Sequence, residues 1–258
     1  MMAGLDLGLT DTPALVTGGG SGIGRASALL LGENGAKVAV VDRDGATARA
    51  TAEEIIAQGG KAIALTADVR SEKDVKAAAA DAEAAFGVIR VLVNSAGIGG
   101  GRRPMLDLSL ESWNKVLDVN LTSVFLFTQI IARRMVDAGG GGAIVNVASV
   151  AGLNGSPNLP AYAASKHGVV GFTRTIALEL ASSGIRVNAV APAMVSTNML
   201  APILNSPGGP AQAAAAHPMG RVAEPREIAD SIVFLASQRA SFITGSVITI
   251  DGGFLAGK

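Results

Sequence analysis

The 258-residue sequence predicts one α/β domain, residues 1–258, built as a doubly wound parallel sheet of seven strands flanked by helices. Three observations predict it. Short β-branched runs alternate six times with longer stretches of helical period. Several runs, such as Val38-Ala39-Val40-Val41, are apolar throughout, as parallel strands covered on both faces are. A glycine-rich turn joins the first run to the first helical stretch.

In chain order, the expected strands are residues 14–17, 37–41, 62–66, 91–94, 143–148, 186–190 and 247–250. Gly59-Gly60 and Gly184 fall just after predicted helices, where a left-handed cap favours glycine. Ser71-x-x-Asp74 is a capping signal ahead of Val75, Ala79, Ala82 and Phe86, which recur on one helical face. A helix over 111–137 is apolar nearly all round, with Trp113, Val116, Leu117, Val124, Phe125, Phe127, Ile130, Ile131 and Met135. Its second apolar face is expected to meet another subunit or a loop of its own chain. Residues 139–142, all glycine, read as a flexible joint. Residues 193–220, rich in Pro, Gly and Ala, read as a mobile lid or a solvated loop. Pro225 then opens a helix carrying Ile228, Ile232 and Leu235.

Composition excludes several partners. Lys and Arg total 21, as do Asp and Glu, so no basic footprint for nucleic acid or an anionic membrane exists. Charged residues are 16% against a usual value of about 25%. A hydrophobic share of 49% suits a membrane protein or a large subunit interface. The richest stretch, 116–136, is interrupted by Asp118, Asn120, Gln129, Arg133 and Arg134, and Met1 to Asp6 lack the basic and apolar regions of a signal peptide, so a cytoplasmic protein is expected. With no cysteine and only His167 and His217, thiol chemistry is excluded and no metal site is expected.

The glycine turn reads Thr17-Gly18-Gly19-Gly20-Ser21-Gly22-Ile23-Gly24. Chemistry explains the pattern: a pyrophosphate must approach the backbone closely, and the helix N-terminus behind it offers N–H groups and a positive dipole end. Asp42 ends the second strand, where a carboxylate accepts the hydroxyls of an adenosine ribose and repels a 2′-phosphate, so NAD is expected over NADP. Within Asp42-Arg43-Asp44-Gly45 the same Asp also reads as a turn residue. Arg43 beside it is suited to a 2′-phosphate, whereas Ser21 stands where NADP users often place a cation.

The chain has one tyrosine, Tyr162, four residues before Lys166 on a helix that Pro160 can open. A phenol of pKa near 10 is a poor base at neutral pH, and a nearby ammonium favours its phenolate. Ser149 ends the fifth strand at the carboxyl edge, where its hydroxyl can polarise a carbonyl. Asn120 lies within the long apolar helix and needs a partner, either a water chain toward Lys166 or neighbouring backbone.

Thr17-Gly18-x-x-x-Gly22-x-Gly24, Asn94-Ser95-Ala96-Gly97, Asn120, Ser149, Tyr162-x-x-x-Lys166 and the Pro192 segment, in this order, resemble the short-chain dehydrogenase/reductase family from about Asp11 to Gly253. The resemblance implies a Rossmann fold and a homotetramer whose interface uses the long helix and the Tyr162 helix. It implies Tyr162 as general acid/base, Ser149 bonded to the substrate oxygen, Lys166 on the nicotinamide ribose and lowering the Tyr162 pKa, and Asn120 holding a relay water. It further implies contacts to the dinucleotide from Gly18, Ser21, Gly22, Ile23 and Gly24, from Asp42 and Arg43, and from Asp68 and Val69 at the adenine. Asn94, Ala96 and Gly97 lie beside its ribose, while Pro192, Val195 and Thr197 serve the carboxamide and phosphates.

Ala193 departs from the family's usual Pro-Gly, so the backbone there must avoid positive φ. Leu178 stands where 3-oxoacyl carrier-protein reductases often carry Arg, which weakens that NADPH-dependent alternative. A dinucleotide-binding regulator without catalysis is opposed by the presence of Asn120, Ser149, Tyr162 and Lys166 together. Specificity is expected in 151–158 and around Met194, Met199 and Ile203, whose apolar character suits an uncharged alcohol or ketone. Arg102 and Arg103 are expected to solvate a loop rather than greet an anion, and neither histidine is given a role.

Overall fold

A computed structural model describes residues 6–257; the first five residues, read above against a signal peptide, lie outside the described residues. Seven strands form one sheet in the order β3-β2-β1-β4-β5-β6-β7. They are β1 (Pro13–Thr17), β2 (Lys37–Asp42), β3 (Lys61–Thr66), β4 (Val91–Asn94), β5 (Gly142–Val147), β6 (Ile185–Pro192) and β7 (Val247–Ile250), all paired in parallel. Each expected strand is present, with ends shifted by at most two residues.

Alternation along the strands divides the core. Val16, Val40, Val93 and Val145 face one side with α1 (Gly22–Glu33), α2 (Gly45–Ala57) and, from the far end of the chain, the helix over Pro225–Ala236. Leu15, Val41, Leu92 and Ile144 face the other, under α3 (Glu72–Phe86) and the helices over Ser123–Ala138 and Pro160–Leu180. Such two-sided covering explains why the central strands are apolar at every position. Ser71 caps α3 by accepting from the Asp74 N–H, as its spacing predicts.

The long apolar helix is not uniform. It runs as α4 (Leu110–Leu117), a π-helical turn over Asp118–Thr122 and α5 (Ser123–Ala138). Its 29 residues are long and apolar enough to cross a membrane, yet Phe127, Ile131 and Met135 are fully buried in the core beneath the sheet. Phe125 and Val136 stay exposed on its outer side, where Phe125 meets the edge of Phe172 from α6 (Pro160–Leu180).

Two loops are more ordered than composition suggests. The 139–142 glycines are fastened by Arg90, whose guanidinium donates to the Gly139 and Gly141 carbonyls. The expected lid carries two short helices, α7 (Ala201–Leu204) and α8 (Gly209–Ala215), ahead of α9 (Pro225–Ala236). His217, given no role from the sequence, is buried. Its Nδ1 donates to the Ala213 carbonyl at 2.8 Å, so Nε2 is the acceptor for the Met194 N–H at 3.4 Å.

Candidate active site

The strand order reverses between β1 and β4, opening a crevice at the carboxyl ends of the sheet. Thr17 Oγ1 pins its two rims together by accepting from the N–H groups of Ser95 (3.1 Å) and Ala96 (3.2 Å). Gly18 has φ +64°, and a Cβ there would stand 2.9 Å from Ala96 Cα. A Cβ on Gly24 would stand 2.1 Å from the Gly18 carbonyl oxygen, so helix α1 approaches the turn only because both residues lack side chains.

At the start of α1, Ser21 makes no side-chain cap and no acidic residue occupies the first turn. The N–H groups and the positive dipole end therefore remain available to an anion, which fits a pyrophosphate. Thr197 reaches this turn from the segment after β6; its Cγ2 would lie 3.1 Å from a Cβ on Gly22. Val195, two residues before it, is buried and bridges to Ala223.

Asp42 makes the turn contacts that its Asp42-Arg43-Asp44-Gly45 context suggests. One carboxylate oxygen accepts from the Gly20 N–H at 3.0 Å, tying the acid to the glycine turn, and the other accepts from the Asp44 N–H at 3.1 Å. Beyond it, Asp68 is engaged by Arg70, whose Nε donates to it at 3.0 Å. That guanidinium, with Arg43 adding from farther off, holds the Asp68 carboxyl below its usual range. Val69 is buried behind it.

Ser149, Tyr162, Lys166 and Asn120 come together at the same edge. Pro160 opens α6 one residue after Leu159, placing Tyr162 and Lys166 on one helical face. Ser149 Oγ accepts from the Ala151 N–H at 3.1 Å, donates to the Pro192 carbonyl at 3.4 Å and sits beside the Tyr162 phenol, on which it acts to lower the pKa. Lys166 Nζ donates to the Val147 carbonyl at 2.7 Å and lies 5.7 Å from the Tyr162 ring centre. Gly97 closes the group, since a Cβ there would stand 3.5 Å from Asn120 Oδ1 and 3.7 Å from Lys166 Nζ.

Burial pushes the Tyr162 phenol up, and the Ser149 hydroxyl offsets part of that rise. The ammonium spends its short hydrogen bond on a backbone carbonyl rather than on the phenol, and desolvation draws Lys166 down to about 8. The Asn120 side chain is met by the Ile98 backbone and by the Ser165 hydroxyl. It accepts from the Ile98 N–H at 2.8 Å and donates to the Ile98 carbonyl at 2.9 Å and to Ser165 Oγ at 3.1 Å.

Sequence reasoning missed Ser165, which passes this link onward by donating to the Tyr162 carbonyl at 2.7 Å. It also missed a buried chain beneath the site: Asn94 donates to Thr128 and Asn146, and Asn146 donates to Thr173. Polar residues inside otherwise apolar strands and helices were the available signal. Ala193 avoids positive φ, as its side chain requires.

The site as built joins an uncapped glycine turn to a phenol with a hydroxyl and an ammonium beside it. A family model described as enoyl-(acyl carrier protein) reductase matches residues 18–255. A cyclohexanol dehydrogenase of Acinetobacter sp. (strain SE19) is 43% identical over 93% of this chain and 94% of its own. Among solved structures, a short-chain type dehydrogenase/reductase of Mycobacterium marinum superposes with a TM-score of 0.91 at 38% identity, over 96% of each chain. A protein of Beutenbergia cavernae described as a candidate NAD(P)-dependent gluconate 5-dehydrogenase, with NADP bound, gives 0.91 at 40% identity, over 96% of this chain and 98% of its own.

Proposed function

The chain belongs to the short-chain dehydrogenase/reductase family, and from that premise we propose an NAD(H)-dependent enzyme that interconverts a secondary alcohol and a ketone through a tyrosine acid/base. Oxidoreduction at CH–OH groups is the reaction class of its relatives. The observation that carries the proposal is the convergence of Ser149, Tyr162 and Lys166 beside Gly97, at the crevice whose other rim is the uncapped glycine turn.

When bound, the nicotinamide supplies hydride exchange with the carbinol carbon. The chain's own residues do the rest. Gly18, Ser21, Gly22, Ile23 and Gly24 hold the pyrophosphate, Asp42 the adenosine ribose, and Asp68, Val69, Asn94, Ala96 and Gly97 the adenine end. Pro192, Val195 and Thr197 border the nicotinamide. Ser149 donates to the substrate oxygen, and Tyr162 takes the hydroxyl proton in oxidation or returns it in reduction. Lys166 holds the nicotinamide ribose and places a positive charge near the phenol. Asn120, through Ser165, fixes the first turn of α6 and so the Tyr162 backbone.

NAD is favoured by the Asp42 carboxylate at the tip of β2, which opposes a second anion there. NADH binds more tightly than NADPH on this reading, a difference read directly from nicotinamide fluorescence during titration. Tyr162→Phe is expected to lose at least about 100-fold in turnover while keeping NADH affinity, since acid–base groups contribute about 10² to 10⁴. Appreciable turnover in that variant would remove Tyr162 from the mechanism.

A second reading, an NADPH-dependent 3-oxoacyl thioester reductase, is favoured by the carrier-protein description of the matching family model and by the exposed Arg43 near Asp68. Reduction of an acetoacetyl thioester with NADPH, well above oxidation of simple alcohols with NAD, would select it. The proposal also makes the enzyme a cytoplasmic homotetramer, supported by its balanced charge and by the apolar outer sides of α5 and α6.

A further inference from the structure

The cavity beside Tyr162 has one charged wall. Gly99, Arg103, Leu108, Val116, Leu159 and Tyr162 are among its lining residues, and none of those lining it is acidic. The Arg103 N–H donates to the Asn158 carbonyl at 2.8 Å, with Asn158 held at φ +65°. That bond fastens the loop after β4 to the residues just ahead of α6, so the Arg103 backbone is fixed relative to Tyr162.

The guanidinium itself is uncommitted. Among the described residues no hydrogen bond or ion pair takes up the Arg103 side chain. Arg221 and Arg226 are paired with Glu227 and Glu33, whereas Arg43, Arg49, Arg102, Arg133 and Arg174 are exposed and, among the described residues, unpaired like Arg103; of these unpaired arginines, Arg103 alone lines the cavity beside Tyr162. The start of α6 adds a second, independent source of positive potential. Leu159 provides no side-chain cap, no acidic residue lies in the first turn, and Pro160 and Ala161 border the same cavity.

We propose that Arg103 is a specificity-determining residue that receives a carboxylate on the substrate, so that the preferred substrates are hydroxy acids, or the matching oxo acids, with an apolar body. The inference rests on Tyr162 marking the reacting carbon, as under the proposed function. Leu108, Val116 and Leu159 supply the apolar contact, and the guanidinium forms a charge-assisted pair with the carboxylate at the cavity's polar end. The lid alone pointed to an uncharged compound because Met194, Met199 and Ile203 are apolar; the charge comes from Arg103, in the loop after β4.

The test compares the wild type with Arg103→Ala, Arg103→Lys and Arg102→Ala, each loaded with NADH. Calorimetric binding of cyclohexanecarboxylate is expected in the wild type. It weakens by about 10- to 100-fold in Arg103→Ala, less in Arg103→Lys, and is retained in Arg102→Ala, whose side chain is not part of the cavity wall. In parallel, the ratio of kcat/KM for 4-hydroxycyclohexanecarboxylate over cyclohexanol should fall by the same factor in Arg103→Ala only. Carboxylate binding and a ratio indifferent to Arg103 would overturn the inference while leaving an active alcohol dehydrogenase. Arg103-dependent binding of the carboxylate without turnover of either alcohol would uphold the anion site and sink the proposed reaction.

Discussion

Lys166 sits in an environment that opposes its own charge. With a pKa of about 8 against an ordinary 10.5, the buried ammonium costs the fold about 3 kcal/mol wherever it is protonated in both states. The sign follows from proton counts: between pH 8 and 10.5 the unfolded chain binds more protons, so stability rises with pH across that window. Below about 8 the cost is present in full. Lys166→Met should therefore raise Tm by several degrees at pH 7, less whatever is lost by leaving the Val147 carbonyl unpaired, and the gain should vanish as pH approaches 10.5. Thermal melts from pH 6 to 10 check this, and activity should fall in the same variant. The phenol moves the other way. Because burial raises the Tyr162 pKa, it is neutral at pH 7 and ready to give a proton to a ketone. Alcohol oxidation should keep accelerating as pH rises through 9, while ketone reduction stays level and declines only beyond the ordinary phenol value of 10.0; initial rates in both directions decide it. The identity of these residues was legible from the one Tyr, the four-residue spacing to Lys166 and the order of the motifs. Their electrostatics were not, because a pKa depends on what surrounds the group, and the Val147 carbonyl under Lys166 is brought there by the fold.

Strands and helices were legible where one periodicity dominates. The β2 run Val38 to Val41 and the α9 pattern Ile228, Ile232, Leu235 are buried as their spacing requires. The π-helical turn around Asn120 was not, since α-helical and π-helical turns share the same local sequence preferences, and the turn is fixed by tertiary hydrogen bonds to Ile98 and Ser165. The internal structure of the 193–220 segment was not legible for a similar reason. Pro, Gly and Ala in 193–220 suggest mobility, yet His217 links three elements: the end of α8 through Ala213, the chain leaving β6 through Met194, and the C-terminal residues through a ring contact with Phe254 at 5.7 Å. Met194 lies next to Val195, so this histidine positions the backbone of the segment proposed to border the nicotinamide. A neutral side chain with one donor and one acceptor can replace both ring nitrogens; an apolar ring cannot. His217→Phe should raise the KM for substrate or cofactor about tenfold with a smaller effect on kcat, and His217→Gln should recover most of the loss. Protection of the 193–220 amides against hydrogen exchange should fall in the Phe variant and return in the Gln variant. Equal kinetics and equal protection in all three proteins would deny the latch.

At the scale of the molecule, the unexplained property is apolar surface. Phe125 and Val136 remain exposed on α5 and Leu178 on α6, while Phe242 is fully exposed ahead of β7. Several of these share two neighbouring helices, with Phe125 already joined edge-on to Phe172. Low charge content leaves such surface little polar cover, and exposed apolar area on neighbouring helices is what a subunit interface would bury. If α5 and α6 of one subunit pack on those of another, the contact lies on the outer side of the same α6 that carries Tyr162 and Lys166 on its inner side. Assembly then restrains the helix that positions the phenol. Phe125→Glu places a charge at the centre of that face, where burying it unpaired costs several kcal/mol, enough to dissociate most interfaces at micromolar concentration. Sedimentation velocity should show a tetramer for the wild type and smaller species for Phe125→Glu. The NADH affinity should be largely kept, because the glycine turn lies across the sheet from the substitution, whereas turnover should drop with the loss of support for α6. A monomeric wild type would remove the interface and leave the apolar side of α5 without a function; a tetrameric Phe125→Glu protein would move the contact to the Leu178 and Phe242 surface.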